Sequence, residues 1–280
     1  MPNDYVHIDK YTYDASCISS FLLCPKLFEL EYVKLIKPEV EPAPLVFGRV
    51  IHEALLIWYK EKDAEKAAVW ARTHIPDGIE DVRRTKEHGE VIVRDYCKRY
   101  PSEPYAIKQS EIEFAIDMPS SPTCTGGEQH DWDSNTQKCK KCWAINRVYV
   151  GRIDQIVEWE GGVYVKDHKT TSQLGQNFYR SFRPSIQLDG YAFACRELVG
   201  RCDGVVINGI SVASNPKERF GRDLQGRTPM ELDRWGVQFG KWCAAIEECI
   251  TNNNFPLYYT ACNHWGRCDM WERCVYGKEE

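Results

Sequence analysis

Two carboxylates and an ammonium group mark the most chemically suggestive stretch of this chain. Asp154 closes Gly151-Arg152-Ile153-Asp154, and Asp167 and Lys169 lie in Val165-Lys166-Asp167-His168-Lys169-Thr170. Asp154 and Asp167 each end an apolar, alternating segment, and Gly161-Gly162 lies between them. Two antiparallel strands joined by a short glycine turn would bring Asp154 and Asp167 together. Side chains alternate along a strand, so Lys169 shares the face of Asp167. Two carboxylates suit a hard divalent cation, Mg²⁺ or Mn²⁺. A neighbouring ammonium can orient or help deprotonate a water and can stabilise a charged phosphorane. That is equipment for metal-assisted phosphodiester hydrolysis. An Asp with an Asp-x-Lys also occurs on surface hairpins with scattered charges, so spacing alone leaves both readings open.

Further ligand sets lie elsewhere. Cys124, His130, Cys139 and Cys142 fall within the polar segment Met118–Asn146, in the spacing C-x5-H-x8-C-x2-C. A C-x2-C knuckle suits tetrahedral zinc. A segment this polar cannot fold on apolar burial, so a metal would organise it; a disordered loop with incidental thiols is the alternative. The segment interrupts two expected strands. It is expected to project from the sheet edge near the catalytic face, with Trp132, Lys138, Lys140 and Lys141 contacting DNA. Near the C-terminus, Cys262, Cys268 and Cys274 form C-x5-C-x5-C. Three thiolates cannot complete a four-coordinate set, so a fourth must come from far away.

The elements that must position these groups are legible in part. The 280 residues suit one large domain or a domain with appendages, and 43% apolar content allows a sizeable core. Asp14 caps a helix, and Pro25 starts a second. Phe47–Lys66 reads as an amphipathic helix carrying His52. Glu80–Tyr100 reads as another. Glu111–Asp117, Arg147–Val157, Gly162–His168 and Gly204–Val212 read as strands, and Pro184–Leu198 and Thr228–Ile250 as helices. The net charge of −5 argues against broad coating of nucleic acid. It leaves room for a local basic patch. Lys217, Arg219, Arg222 and Arg227 form one in an expected loop over Ser214–Pro229, readable as phosphate contacts or as a solvated polar loop. No apolar run is long enough to span a membrane, and Met1–Lys10 lacks the apolar core of a secretory signal, so a cytoplasmic location is expected. In that reducing compartment thirteen cysteines point to metals rather than disulfides.

Taken in order, Gly48 with His52, Gly151 with Asp154, Asp167 with Lys169, and Gln187 with Tyr191 resemble the motifs of the PD-(D/E)XK nuclease superfamily, in particular the RecB-like exonucleases. The resemblance spans most of the chain. It implies an α/β, restriction-endonuclease-like fold: a central mixed sheet flanked by helices. Residues 1–110 would form an N-terminal helical region carrying Cys24 and His52. Residues 111–250 would form the nuclease core, interrupted by the zinc-binding insertion at 118–146, and 251–280 an iron–sulfur tail. The resemblance further implies that His52, Asp154, Asp167 and the His168 carbonyl ligate Mg²⁺ or Mn²⁺. Lys169 would act on the water, Gln187 and Tyr191 would position DNA or the lysine, and Glu113 would serve from the preceding strand. Arg152 would contact a phosphate or pair with a carboxylate.

Cys24, in Phe21-Leu-Leu-Cys-Pro, resembles the N-terminal ligand of iron–sulfur RecB-like nucleases. Cys24, Cys262, Cys268 and Cys274 would then hold a 4Fe–4S cluster that ties the two ends of the domain together. The tail spacing departs from the C-x2-C-x5-C of many relatives, which keeps zinc on the same thiolates as an alternative; Cys17 could replace Cys24. The implied function is exonucleolytic cleavage of single-stranded DNA or duplex ends in phage or mobile-element recombination, with a single-strand annealing protein or recombinase as partner. The alternatives are a CRISPR-adaptation trimming nuclease and a non-catalytic iron–sulfur DNA-binding protein. The intact Asp154, Asp167 and Lys169 set counts against the latter.

Overall fold

A two-residue turn sets the register on which the site depends. In the computed structural model, which describes residues 11–36, 41–79, 81–121, 123–263 and 266–277, Glu160 and Gly161 both adopt positive φ, 49° and 77°. This mirror-image turn matches the twist of the antiparallel strands it joins, Asn146–Trp159 and Gly162–Thr171.

Along the chain run β1 (Thr12–Tyr13), α1 (Ala15–Leu23), α2 (Pro25–Phe28) with a π-helical continuation (Glu29–Val33), α3 (Ala43–Glu61), α4 (Ala64–His74) and α5 (Lys86–Arg99). Then come β2 (Ala106–Pro119), β3 (Asn146–Trp159), β4 (Gly162–Thr171), α6 (Gln176–Arg180), α7 (Ile186–Val199), β5 (Gly204–Ser211), β6 (Phe220–Gly226), α8 (Pro229–Thr251) and α9 (Trp271–Tyr276). The sheet is mixed. β2 pairs antiparallel with one edge of β3. The other edge of β3 is shared by β1, which runs parallel, and by β4, which runs antiparallel. β4 pairs parallel with β5, and β5 antiparallel with β6. Residues of α1, α7 and α8 form one core with Tyr149, Ile153, Val165 and Ile207 of the sheet. Residues of α3, α4 and α5 form a second with Ile210 and Val212. This is the helix-flanked mixed sheet expected from the sequence.

Helix starts follow side-chain caps. Asp14 accepts from the Cys17 N–H at 2.7 Å, Ser185 from that of Leu188 at 3.1 Å, and Thr228 and Glu231 form a reciprocal capping box. The helix expected over Phe47–Lys66 divides in two. Lys62 turns left-handed (φ 56°) to end α3, and Asp63 caps α4. The loop expected over Ser214–Pro229 contains β6. The boundary expected at residue 110 falls inside β2, and β1 and α1 belong to the main core rather than to a separate helical region. Met1–Lys10 lie outside the described residues. Among the described residues, no helix is long and apolar enough to cross a membrane.

The polar insertion connects the far ends of β2 and β3. Asn146 and Asp154 are eight residues apart on one strand, or roughly 26 Å. The insertion therefore leaves the sheet at the end of β3 away from Asp154.

Between the sheet and α3 and α5 lies a buried polar network. Lys166, fully buried, donates to Tyr59 OH at 2.6 Å and to Gln155 Oε1 at 3.0 Å, with Glu103 at 3.5 Å. Glu103 also receives both terminal nitrogens of Arg222, at 2.5 and 2.8 Å. The Arg222 guanidinium lies 3.7 Å from the centre of the Tyr100 ring. Arg222, expected to touch DNA, is instead turned inward, because β6 seats it over Glu103. We expect Glu103→Ala to lower the unfolding free energy by about 3–5 kcal/mol, since it leaves two cations buried beside each other without their anion. Urea denaturation measures this, and an unchanged midpoint would refute it.

Candidate metal-dependent active site

The β3–β4 ladder ends with Gln155 opposite Lys166. Asp154 and Asp167 are the next residues in register and sit where the two strands part, β1 taking over the edge of β3 at Val148. Asp167 is buried; Asp154 is half-buried. α3 crosses this point and places His52 Nδ1 3.3 Å from Asp154 Oδ2. The same oxygen accepts the His168 backbone N–H at 2.9 Å. Lys169 Nζ lies 2.7 Å from Asp167 Oδ2 and donates to Gln187 Oε1 at 2.8 Å. Gln187 Nε2 in turn donates to Tyr191 OH at 3.2 Å, one turn along α7. The structure thus brings together His52, Asp154, Asp167, His168, Lys169, Gln187 and Tyr191.

One motif glycine has a clear steric reason. A Cβ on Gly151 would stand 2.7 Å from the Phe114 ring and 3.2 Å from that of Tyr191, so glycine lets these rings close over β3. A Cβ on Gly48 would lie 3.4 Å from Thr170 Oγ1, an ordinary contact between α3 and β4.

Glu113 is exposed, opposite Arg152. The pairs Ser110–Gln155 and Ile112–Ile153 bracket Glu111 and Asp154, so Glu111 is the carboxylate across from Asp154. Burial and the Asp154 charge both raise the Glu111 carboxyl above its usual range. Arg152 pairs with Glu111 at 3.3 Å while remaining 60% exposed. Both glutamates lie in one alternating strand, so sequence pattern could not choose between them; the register does. Arg219 donates to the carbonyls of Ser211 and Ala213, whereas Lys217 is exposed on a groove with Ser172, Gln173 and Ser211. Of the four cations of the basic patch, Lys217 alone is exposed to solvent; Arg227 is buried and donates to Asp189 at 2.6 Å.

Electrostatics divide the two aspartates. Burial pushes the Asp154 carboxyl up, but His52 and His168 overcome it and hold it well below the carboxylate range. Burial dominates at Asp167 and raises it despite Lys169. Asp167 Oδ2 is buried, with the Lys169 ammonium 2.7 Å away. A buried carboxylate beside a second carboxylate and an imidazole fits a divalent cation.

A model of the PD-(D/E)XK nuclease superfamily matches residues 15–275. The chain belongs to that superfamily. Among solved structures it is similar to a "putative exonuclease" from Eubacterium rectale, at 12% identity, with 100% of this chain and 94% of the other covered and a TM-score of 0.55. At that identity the likeness is one of fold. The structure of SSO0001 is matched at 14% identity over 94% of this chain and 98% of its own, with a TM-score of 0.31. No curated protein sequence matches the chain. PD-(D/E)XK nucleases generally use Mg²⁺ or Mn²⁺.

This superfamily member carries two further cysteine sites. In the insertion, the ligand atoms of Cys124, His130, Cys139 and Cys142 all lie within 4.8 Å of one another. The Cys124 and Cys139 sulfurs are 3.6 Å apart, and Cys142 Sγ is 3.4 Å from His130 Nδ1. His130 Nε2 donates to the Ser121 carbonyl at 3.0 Å, which leaves the Nδ1 lone pair free for a metal. Among the described residues of the insertion, the buried apolar cluster is Cys124, Cys139 and Ala144, with Trp132 and Cys142 against it. A metal can be held by this group.

At the opposite end of α1, Cys24 is buried and accepts the Tyr258 N–H at 3.5 Å, while the Lys26 N–H donates to the Pro256 carbonyl. Burial raises the thiols of Cys268 and Cys274, with Cys262 and Cys24 among the groups that add to the shift. Cys17 packs instead in the core with Tyr13 and Cys243.

Without metal, the His52–Asp154 pair gives a pH signature. Burial opposes the His52 charge, yet Asp154 and Asp167 raise its pKa. A raised histidine stabilises fully below its ordinary value of about 6.5 and loses that contribution as pH rises through the folded value. The lowered Asp154 contributes above about 3.9 and loses it as pH falls through its folded value. In EDTA, His52→Ala is expected to melt below the wild type by most between about pH 4 and 6.5. That deficit should shrink at alkaline pH; a constant one would exclude the ion pair.

Proposed function

We propose that this nuclease is a Mg²⁺- or Mn²⁺-dependent deoxyribonuclease that shortens single-stranded or duplex DNA from an end. The observation that carries the reading is the buried Asp167 carboxylate drawn together with Asp154, His52 and Lys169. His52, Asp154, Asp167 and the His168 carbonyl would hold the ion, which when bound polarises the phosphodiester and acidifies a water. Lys169, anchored by Gln187, orients the attacking water and faces the charge that builds on phosphorus. Water adds in line, the ester P–O bond opposite breaks, and the departing oxygen takes up a proton. Tyr191 holds Gln187, and Lys217 is the exposed cation for a backbone phosphate.

Attack from an end is supported by the resemblance to RecB-like exonucleases and by the printed name of the Eubacterium rectale protein. Resection in phage or mobile-element recombination, beside an annealing protein or recombinase, rests on the same resemblance. End-labelled DNA with Mg²⁺, Mn²⁺ or EDTA tests the activity. Lys169→Ala is expected to slow cleavage by about 10²–10⁴-fold with DNA binding retained. Equal cleavage by Lys169→Ala, or cleavage in EDTA, would overturn the mechanism.

We also assign zinc to the insertion and a 4Fe–4S cluster to Cys24, Cys262, Cys268 and Cys274. Zinc with thiolates at about 2.3 Å in a tetrahedron sets ligand atoms about 3.6–3.8 Å apart, close to the insertion's 3.6 and 3.4 Å. The insertion holds the one group drawn to single-ion distances among the described residues. The cluster assignment rests on the resemblance of Cys24, in Phe21-Leu-Leu-Cys-Pro, to the N-terminal ligand of iron–sulfur RecB-like nucleases. Metal analysis of anaerobically purified protein should give one zinc, lost in Cys139→Ser, and iron with sulfide, lost in Cys24→Ser. Zinc retained by Cys139→Ser, or iron retained by Cys24→Ser, would refute the corresponding assignment.

A further inference from the structure

The hydrogen bonds behind the active site lead through one buried amide. Asn208, on the central strand β5, is fully buried. Its Oδ1 accepts from Arg222 Nε at 3.0 Å and from Tyr96 OH at 3.3 Å. Arg222 Nε can only donate, so the amide cannot be flipped without opposing donor to donor. Its Nδ2 therefore points at His168 Nδ1, 2.8 Å away, and donates to it. His168 is held neutral, with its remaining proton on Nε2.

Held in this way, His168 touches two of the groups that would bind the metal. Its ring stands edge-on to His52, centroids 5.5 Å apart at 73°. Its own backbone N–H holds Asp154 Oδ2. On its other side the ring meets Tyr59, at 5.9 Å, and Tyr96, at 6.2 Å. The ring is thus wedged between α3 and α5, and its orientation is set by the one hydrogen bond from Asn208.

We propose that Asn208 is a positioning residue for metal binding: through His168 it holds His52 and Asp154 at the separation the ion requires. It touches neither substrate nor metal. The buried Arg222–Glu103 pair, seated on β6, is the anchor that keeps the amide oriented. This inference rests on the metal-dependent reading above and specifies which residue behind the ligands tunes the site.

Calorimetric titration of Mn²⁺ into the full-length, cluster-loaded protein tests it, with DNA affinity in EDTA and the melting temperature measured alongside. Wild type should bind Mn²⁺ and Asp154→Ala should not; failure of that step sinks the metal reading and the inference with it. Given that step, Asn208→Leu should bind Mn²⁺ about 10–100-fold more weakly, the loss typical of an outer partner of a metal ligand, with DNA affinity unchanged. Asn208→Ser, whose shorter side chain cannot span both partners, carries the same expectation should the leucine variant fail to fold. A lower melting temperature with wild-type Mn²⁺ affinity in the folded variant would overturn the proposal and leave Asn208 a purely structural residue.

Discussion

Everything in this site depends on the register of one hairpin. The two-residue turn at Glu160 and Gly161 sets Gln155 against Lys166, and so Asp154 against Asp167. A slip of one residue would turn every side chain of one strand to the other face. It would bring a core residue to the metal position and bury Lys169. The register is secured from both sides. Val165 and Ile156 go into one core, while Lys166 and Gln155 meet in the polar network on the other face. A shifted strand would lose its apolar burial and also strand a buried ammonium, so the alternative is costly twice over.

The two helical layers then deliver complementary parts. α3, on one face, brings His52 to Asp154; α7, on the other, brings Gln187 to Lys169. Gly151 leaves out a side chain where Phe114 and Tyr191 meet β3. The opposite shifts of the two aspartates follow. Asp154 faces the imidazoles and keeps its charge, while Asp167, deeper, is raised by burial despite Lys169. Beneath them, two buried cations share one anion, an arrangement that costs desolvation and returns a stiff floor for β4 and β5.

The cysteine sites act where apolar burial runs out. The insertion has almost no core of its own beyond its ligand cysteines. The tail after α8 lies over Cys24 through a few backbone contacts. In both places, ligand bonds can replace the hydrophobic area that the sequence does not supply.

The sequence by itself determined the local and ordered features. Asp14 announces its helix because a cap is made within four residues. β5 was legible as a strand, and the ligand spacing in the insertion brings its four groups together over a short loop. The ordered motifs from Gly48 to Tyr191 carried the superfamily and the constellation around Asp154 and Asp167. What only the tertiary structure decided were relations between distant segments. β6 has no apolar alternation and became a strand because β5 offered it an edge. That pairing turned Arg222 from an expected DNA contact into a buried anchor for Glu103. Glu111 and Glu113 are equivalent in an alternating strand, and only the β2–β3 register selected the one opposite Asp154. That the insertion leaves the sheet away from Asp154 follows from the length of β3. Asn208 and Lys166 looked like ordinary strand residues, since the charges and rings that give them a task come from five other elements. Such partners are set by long-range packing, which no local pattern encodes.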